Sequence, residues 1–205
     1  MIAVLRKRRW IYPLVLAVLL VMVFTPLLFS LTHYKAGEVT SDFPAFMELT
    51  EGLKQGPGNV PGYHLAHPLW ELLVIAVNSL FGISFRMAAF LVTLSSTLAA
   101  AMVIYFWFAP VLRANRLSLA WGVVAAVGLN LVTPLSVLAP IDHRWFAGYI
   151  GTIQYNNPTI ILLRPLALLQ FIIAIRCFQQ AAQGWQLTAL AAAVTALATL
   201  AKPSF

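Results

Sequence analysis

Carboxylates are scarce in this chain. Six acidic residues stand against 13 lysines and arginines in 205 positions, and four of the six, Glu38, Asp42, Glu48 and Glu51, fall in one stretch, residues 33–68. The single cysteine, Cys177, excludes an internal disulfide and a cysteine metal cluster. There is no glycine-rich phosphate loop, no Gly-x-Ser-x-Gly elbow and no His-Glu-x-x-His pair, so the phosphate-loop, serine-hydrolase and zincin chemistries have no sequence support. Asn157-Pro158-Thr159 is not a glycosylation acceptor, because proline fills its middle position. Internal repeats of about 20–50 residues are also missing.

What fills the space is hydrocarbon. With 61% apolar and 9% charged residues, the chain falls in the all-α, polytopic helical membrane class, as a single membrane domain over residues 1–205. The net charge of +7 forms no nucleic-acid-binding face: Arg6, Lys7, Arg8 and Arg9 precede the first apolar run, and the other basic residues stand singly at run ends. The charge reads as topology. Residues 10–31 are almost wholly apolar, longer than a signal-peptide core and without a small-x-small cleavage site, so they are expected to remain as an anchor. The basic cluster keeps the N-terminus cytoplasmic, which puts residues 32–67 outside as a polar loop.

Within that loop Asp42-Phe43-Pro44 opens a segment whose Phe43, Phe46, Met47 and Leu53 share a helical stripe, and Gly56-Pro57-Gly58 stops it. The pattern predicts a short helix on the membrane surface. Residues 68–82 follow, apolar but only about 15 long, carrying Glu71 and Asn78 and ending at Gly82. Charge counting weighs a crossing there against an embedded helix. If 68–82 crosses, the loop bearing Arg113 and Arg116 falls outside; if it stays in the interface, 87–108 is the second crossing and that loop falls inside. Crossings at 117–138, 160–178 and 187–200 complete the preferred count of five plus one embedded helix, with six as the alternative. A second external loop, residues 141–159, then brings Asp142, His143, Arg144, Asn156 and Asn157 to the side of Asp42.

A single N-terminal span, an external loop whose acidic residue starts a surface helix, and the His67-Pro68-Leu69 segment ending in Phe81-Gly82 resemble the start of the GT-C superfamily. Tyr155-Asn156-Asn157-Pro158-Thr159, Leu163-Arg164-Pro165-Leu166 and Leu200-Ala201-Lys202-Pro203 are similar to stretches in bacterial membrane proteins of that kind. The superfamily comprises integral membrane glycosyltransferases that use polyprenyl-phosphate-linked sugars, among them protein mannosyltransferases and lipid A aminoarabinose transferases. Its enzymes carry more spans than this chain, so the chain is expected to correspond to the N-terminal part of one. The resemblance implies sugar transfer from a polyprenyl-phosphate donor at the outer face of a bacterial inner membrane.

Such a transfer needs a base for the acceptor proton and cationic or donor groups for the lipid phosphate that leaves. Asp42 matches the first-loop acidic position; its alternative role is the N-cap of the helix it precedes. Glu71 is either a second acid at the site or a cap for neighbouring backbone, and it is too costly to face lipid. Arg164, inside an apolar run, binds a lipid phosphate, pairs with Asp142, or snorkels alone. Asn156 and Asn157 either contact substrate or start the helix at Pro158, and Arg144 and Lys202 are further phosphate candidates. His64 and His67 would hold a divalent metal if they shared a helical turn; otherwise Pro68 starts the helix and they are interfacial hydrogen-bonding groups. The geometry expected of an enzyme has Asp42 and Arg164 looking into one hollow at the outer leaflet.

The alternative from another class is a non-catalytic membrane subunit of a transport or assembly system. The small residues of 187–201 favour close lateral contact with further spans or a partner. Against a transporter, the charges gather at span edges while the span centres are Leu, Ala, Val and Phe.

Overall fold

In a computed structural model the structure describes residues 10–33, 42–59, 68–131, 157–179 and 184–201, helical apart from short connections. Seven α-helices appear among them: α1 (Ile11–Thr32), α2 (Phe43–Gln55), α3 (Leu69–Phe81), α4 (Phe85–Ala114), α5 (Ala120–Leu131), α6 (Pro158–Gln179) and α7 (Trp185–Ala201). Three of them, α1, α4 and α6, are long and apolar enough to cross a membrane. By length and composition the chain is a membrane protein. The larger count of five or six crossings exceeds what helix length alone supports, because α5 and α7 are shorter apolar helices.

The burial pattern of α1 fits lipid rather than water. Leu16, Leu20, Phe24 and Leu28, spaced four apart, are buried as one stripe, while Leu14, Val18, Met22 and Leu27 on the other faces are exposed. A helix apolar all round with one packed seam is what a bilayer tolerates and water does not. That seam meets α4, the most buried of the long helices. Phe29 and Phe90 touch edge to face with centroids 5.8 Å apart, so the end of α1 lies beside the start of α4 and the two run antiparallel. Thr93, Ser96 and Thr97 return their hydroxyl hydrogens to carbonyls four residues earlier, which hides three polar groups inside α4.

The turn after α4 closes with the paired bonds of a Schellman motif: the Arg116 N–H donates to the Arg113 carbonyl and the Leu117 N–H to the Leu112 carbonyl. Arg116 takes the left-handed position at φ 56°, where glycine is usual. Gly122 then lets α5 lie close against α4, since a Cβ there would meet Leu112 Cδ1 and Tyr105 Cδ2 at 3.2 Å. Leu162 shares a cavity wall with Leu91 and Ser96, and Arg176 shares another with Phe106 and Trp107, so α6 runs parallel to α4. Gln170 Nε2 donates to Thr195 Oγ1 at 3.0 Å, tying α6 to an antiparallel α7. The helices α1, α4, α5, α6 and α7 therefore alternate in direction.

The helix after Asp42 forms where the sequence predicts it. The amphipathic α2 buries Phe43, Met47 and Thr50 and exposes Glu48 and Glu51, and Gly56 ends it. It runs parallel to α3, with Phe43 and Phe46 both edge-on to Trp70 at 6.1 Å and Lys54 reaching Asn78. At 13 residues α3 is about 20 Å long, short of a hydrocarbon core of about 30 Å. Gly82, at φ 63° and ψ 22°, turns the chain from α3 into α4.

Candidate functional site

The end of the bundle that carries α2 gathers every described carboxylate. Asp42 precedes α2, Glu48 and Glu51 lie on it, and Glu71 is in the first turn of α3. Arg113, Arg116 and Arg176 mark the opposite end, at the finish of α4 and α6.

Asp42 begins α2 without capping it through its side chain. Its carbonyl accepts the Phe46 N–H, the first helical bond, but its carboxylate makes no capping bond. The carboxylate instead accepts a hydrogen bond of 3.0 Å from Asn157 Nδ2, 115 positions later in the chain. Asn157 is spoken for on its other side. Its Oδ1 accepts from the Thr159 N–H at 3.0 Å, the Thr159 hydroxyl at 2.6 Å and the Ile160 N–H at 3.4 Å. One side chain thus caps α6, as an asparagine before Asn-Pro-type helix starts should, and fixes the orientation of an exposed carboxylate. Of the two roles read for Asn157 the structure shows the helix start, and the same side chain also holds the Asp42 carboxylate.

Glu71 sits one residue from Trp70, whose ring packs on Phe43 beside Asp42. It is 3% exposed, and its Oε2 has no hydrogen-bond partner among the described residues. In the short α3, outside the three long apolar helices, burial pushes its carboxyl up from 4.5 to about 7, against a smaller downward pull from its own backbone N–H. At neutral pH this group is poised between acid and base.

Arg164 is half-buried two turns into α6, about 10 Å along the helix from Asn157. One guanidinium nitrogen donates to the Leu129 carbonyl at 3.3 Å, near the end of α5. It lines a cavity of about 520 Å³ between α4, α5 and α6, walled by Ile104, Trp107, Phe108, Leu168 and Phe171. Asp42 is not among the residues lining that cavity. The structure brings Asp42 to Asn157 and sets Arg164 deeper on the same helix, in its own hollow, rather than opposite Asp42 in a shared one.

Asn156, Arg144, Lys202, His64 and His67 lie outside the described residues, as do Asp142 and His143. The described residues hold no group of three or more histidine, cysteine or acidic side chains able to grip a metal.

The sequence did not point to the other latch of α2. Lys54 Nζ donates to Asn78 Oδ1 at 2.6 Å and stands 5.1 Å from the centre of the Phe85 ring, while Asn78 Nδ2 donates to the Ile83 carbonyl. A lysine and an asparagine 24 positions apart carry no local pattern. With Asp42 held at its first turn and Lys54 at its last, α2 is a strap between the starts of α6 and α4.

Comparison with protein-family models, curated proteins and solved structures found no match to this chain.

Proposed function

We propose that the chain is a membrane glycosyltransferase of the kind the GT-C resemblance implies, or the N-terminal part of one, moving a sugar from a polyprenyl-phosphate donor to an acceptor. The observation that carries this reading is the Asp42 carboxylate: exposed, unused as a cap, and aimed by Asn157. In the reaction the acceptor oxygen bonds to the anomeric carbon, the bond from that carbon to the phosphate oxygen breaks, and the acceptor proton passes to Asp42. The polyprenyl phosphate leaves with the electron pair, and Arg164, seven residues along α6 from Asn157, is the cation assigned to it on this reading. Glu71, buried beside the same aromatic contact, is the second acid.

Topology supports the same side for all of these groups. The alternation of α1, α4, α5, α6 and α7 fits five crossings with α2 and α3 at the interface. With Arg113, Arg116 and Arg176 at the far end, the positive-inside rule puts the N-terminus in the cytoplasm and Asp42 outside, as in an inner membrane. The partners on this reading are the lipid-linked sugar, its acceptor and the surrounding lipid, with no nucleic acid.

The test is transfer from a polyprenyl-phosphate sugar by the protein reconstituted in vesicles. Asp42→Asn is expected to slow transfer by at least about 100-fold, the scale of a general base, while membrane insertion is unchanged. Transfer at the wild-type rate would remove Asp42 from the chemistry, and the non-catalytic subunit would become the better reading.

A further inference from the structure

The basic end of the bundle holds a hollow that sugar transfer at the other end does not use. It encloses about 340 Å³ between α4, α6 and α7, and its walls include Met102, Phe106, Trp107, Leu169, Arg176 and Leu190. All but one of those six are apolar. The exception, Arg176, stands exposed in the last turn of α6.

Arg176 has no counter-charge within reach of the described fold. All four described carboxylates lie on or beside α2 and α3, at the opposite end, and the sequence holds no Asp or Glu after position 142. Arg176 forms no hydrogen bond or ion pair with a described residue. The C-terminal carbonyls of α6 favour a cation there but supply only a partial charge. Among the described residues no full anion stands at this end.

The surroundings say which anion. Trp10, Trp121, Phe178 and Trp185, from α1, α5, α6 and α7, are all strongly exposed at this end. An amphipathic aromatic girdle of that kind sits at the headgroup level of a bilayer. Arg176 shares that level, and Leu169 lines the hollow seven residues earlier, about 10 Å toward the membrane centre. A cation at headgroup depth with an apolar slot running inward complements an amphiphile that has a phosphate at one end and a hydrocarbon chain at the other.

We propose that the hollow between α4, α6 and α7 binds an anionic glycerophospholipid from the leaflet at the basic end, its phosphate paired with Arg176 and one acyl chain lying along Met102, Phe106 and Leu169. The site lies at the opposite end from Asp42, shares the Trp107 wall with the Arg164 cavity, and does not depend on sugar transfer.

The experiment is native mass spectrometry of the protein extracted from vesicles of equal phosphatidylglycerol and phosphatidylcholine, with inorganic phosphate added in a parallel sample. Wild-type protein is expected to retain phosphatidylglycerol about fivefold over phosphatidylcholine, the effect of one basic side chain at an anionic surface. Arg176→Gln brings the ratio to one, Arg113→Gln and Arg116→Gln leave it at the wild-type value, and excess inorganic phosphate displaces nothing. Leu190→Trp, which fills the slot from an exposed position, lowers retention with Arg176 intact. An unaltered ratio in Arg176→Gln, no preference in the wild type, displacement by inorganic phosphate, or full retention in Leu190→Trp would each overturn the proposal. Both substituted side chains are exposed or lipid-facing, so the variants keep the helix packing.

Discussion

Glu71 shows what a single residue contributes at this scale. A carboxyl whose value rises from 4.5 to about 7 on folding holds a proton in the native state that the unfolded chain has released between those limits. Stability is therefore greatest below pH 4.5, falls as the pH climbs toward 7, and is level above it. The span corresponds to about 3 kcal/mol at about 1.4 kcal/mol per unit. Glu71→Gln, which carries no proton to lose, is expected to flatten this slope; thermal unfolding in detergent between pH 4.5 and 7.5 measures it. An unchanged slope in the variant would assign the pH dependence to another group. Asp42 makes the complementary point. Its position before Phe43-Pro44 marks a helix start in the sequence, but the carboxylate bonds to Asn157 across 115 positions, and no local pattern encodes that.

Elements are where the sequence speaks most clearly. The extent of α2, its stop at Gly56 and the stop of α3 at Gly82 follow from stripe spacing and glycine placement. The long helices differ from expectation mainly at their ends: α4 runs from Phe85 to Ala114 rather than over 87–108, because Ser84 caps it and accepts the Met87 N–H at 3.3 Å. The approach of α5 to α4 depends on Gly122. Gly122→Val is expected to lower stability by about 1–3 kcal/mol through overpacking against Leu112 and Tyr105. Gly128→Val is its control, since a Cβ there meets nothing within 4 Å, and equal losses in the two variants would mean that the close approach is not the cause. The strap formed by α2 belongs to this scale too: its helical character is local, whereas its two anchor points, Asn157 and Asn78, come from distant segments.

For the whole molecule the decisive feature is that the described carboxylates share one end. They gather with α2 and α3, beside Lys54 and Arg86, whereas the opposite end carries Arg113, Arg116 and Arg176 with no described carboxylate. On the proposed orientation, a cysteine at Ala114, in a Cys177→Ser background, should be closed to membrane-impermeant thiol reagents added outside intact cells, and a cysteine at the exposed Glu48 should react. Labelling at 114 with none at 48 would invert the molecule and place Asp42 in the cytoplasm.

Sequence alone determined that the chain is helical, apolar enough to cross a bilayer, and interrupted by one amphipathic helix with defined ends. Those properties are set by residues a few positions apart, through hydrogen bonding along the helix and through the solvent each face meets. Tertiary structure decided the rest: that Asn157 rather than the helix backbone receives the Asp42 carboxylate, that Arg164 opens into a cavity which Asp42 does not line, and that Glu71 is buried with an oxygen unsatisfied among the described residues. Each depends on which helices meet and at what depth, and that is fixed by packing between segments far apart in the chain, which neither hydropathy nor spacing records.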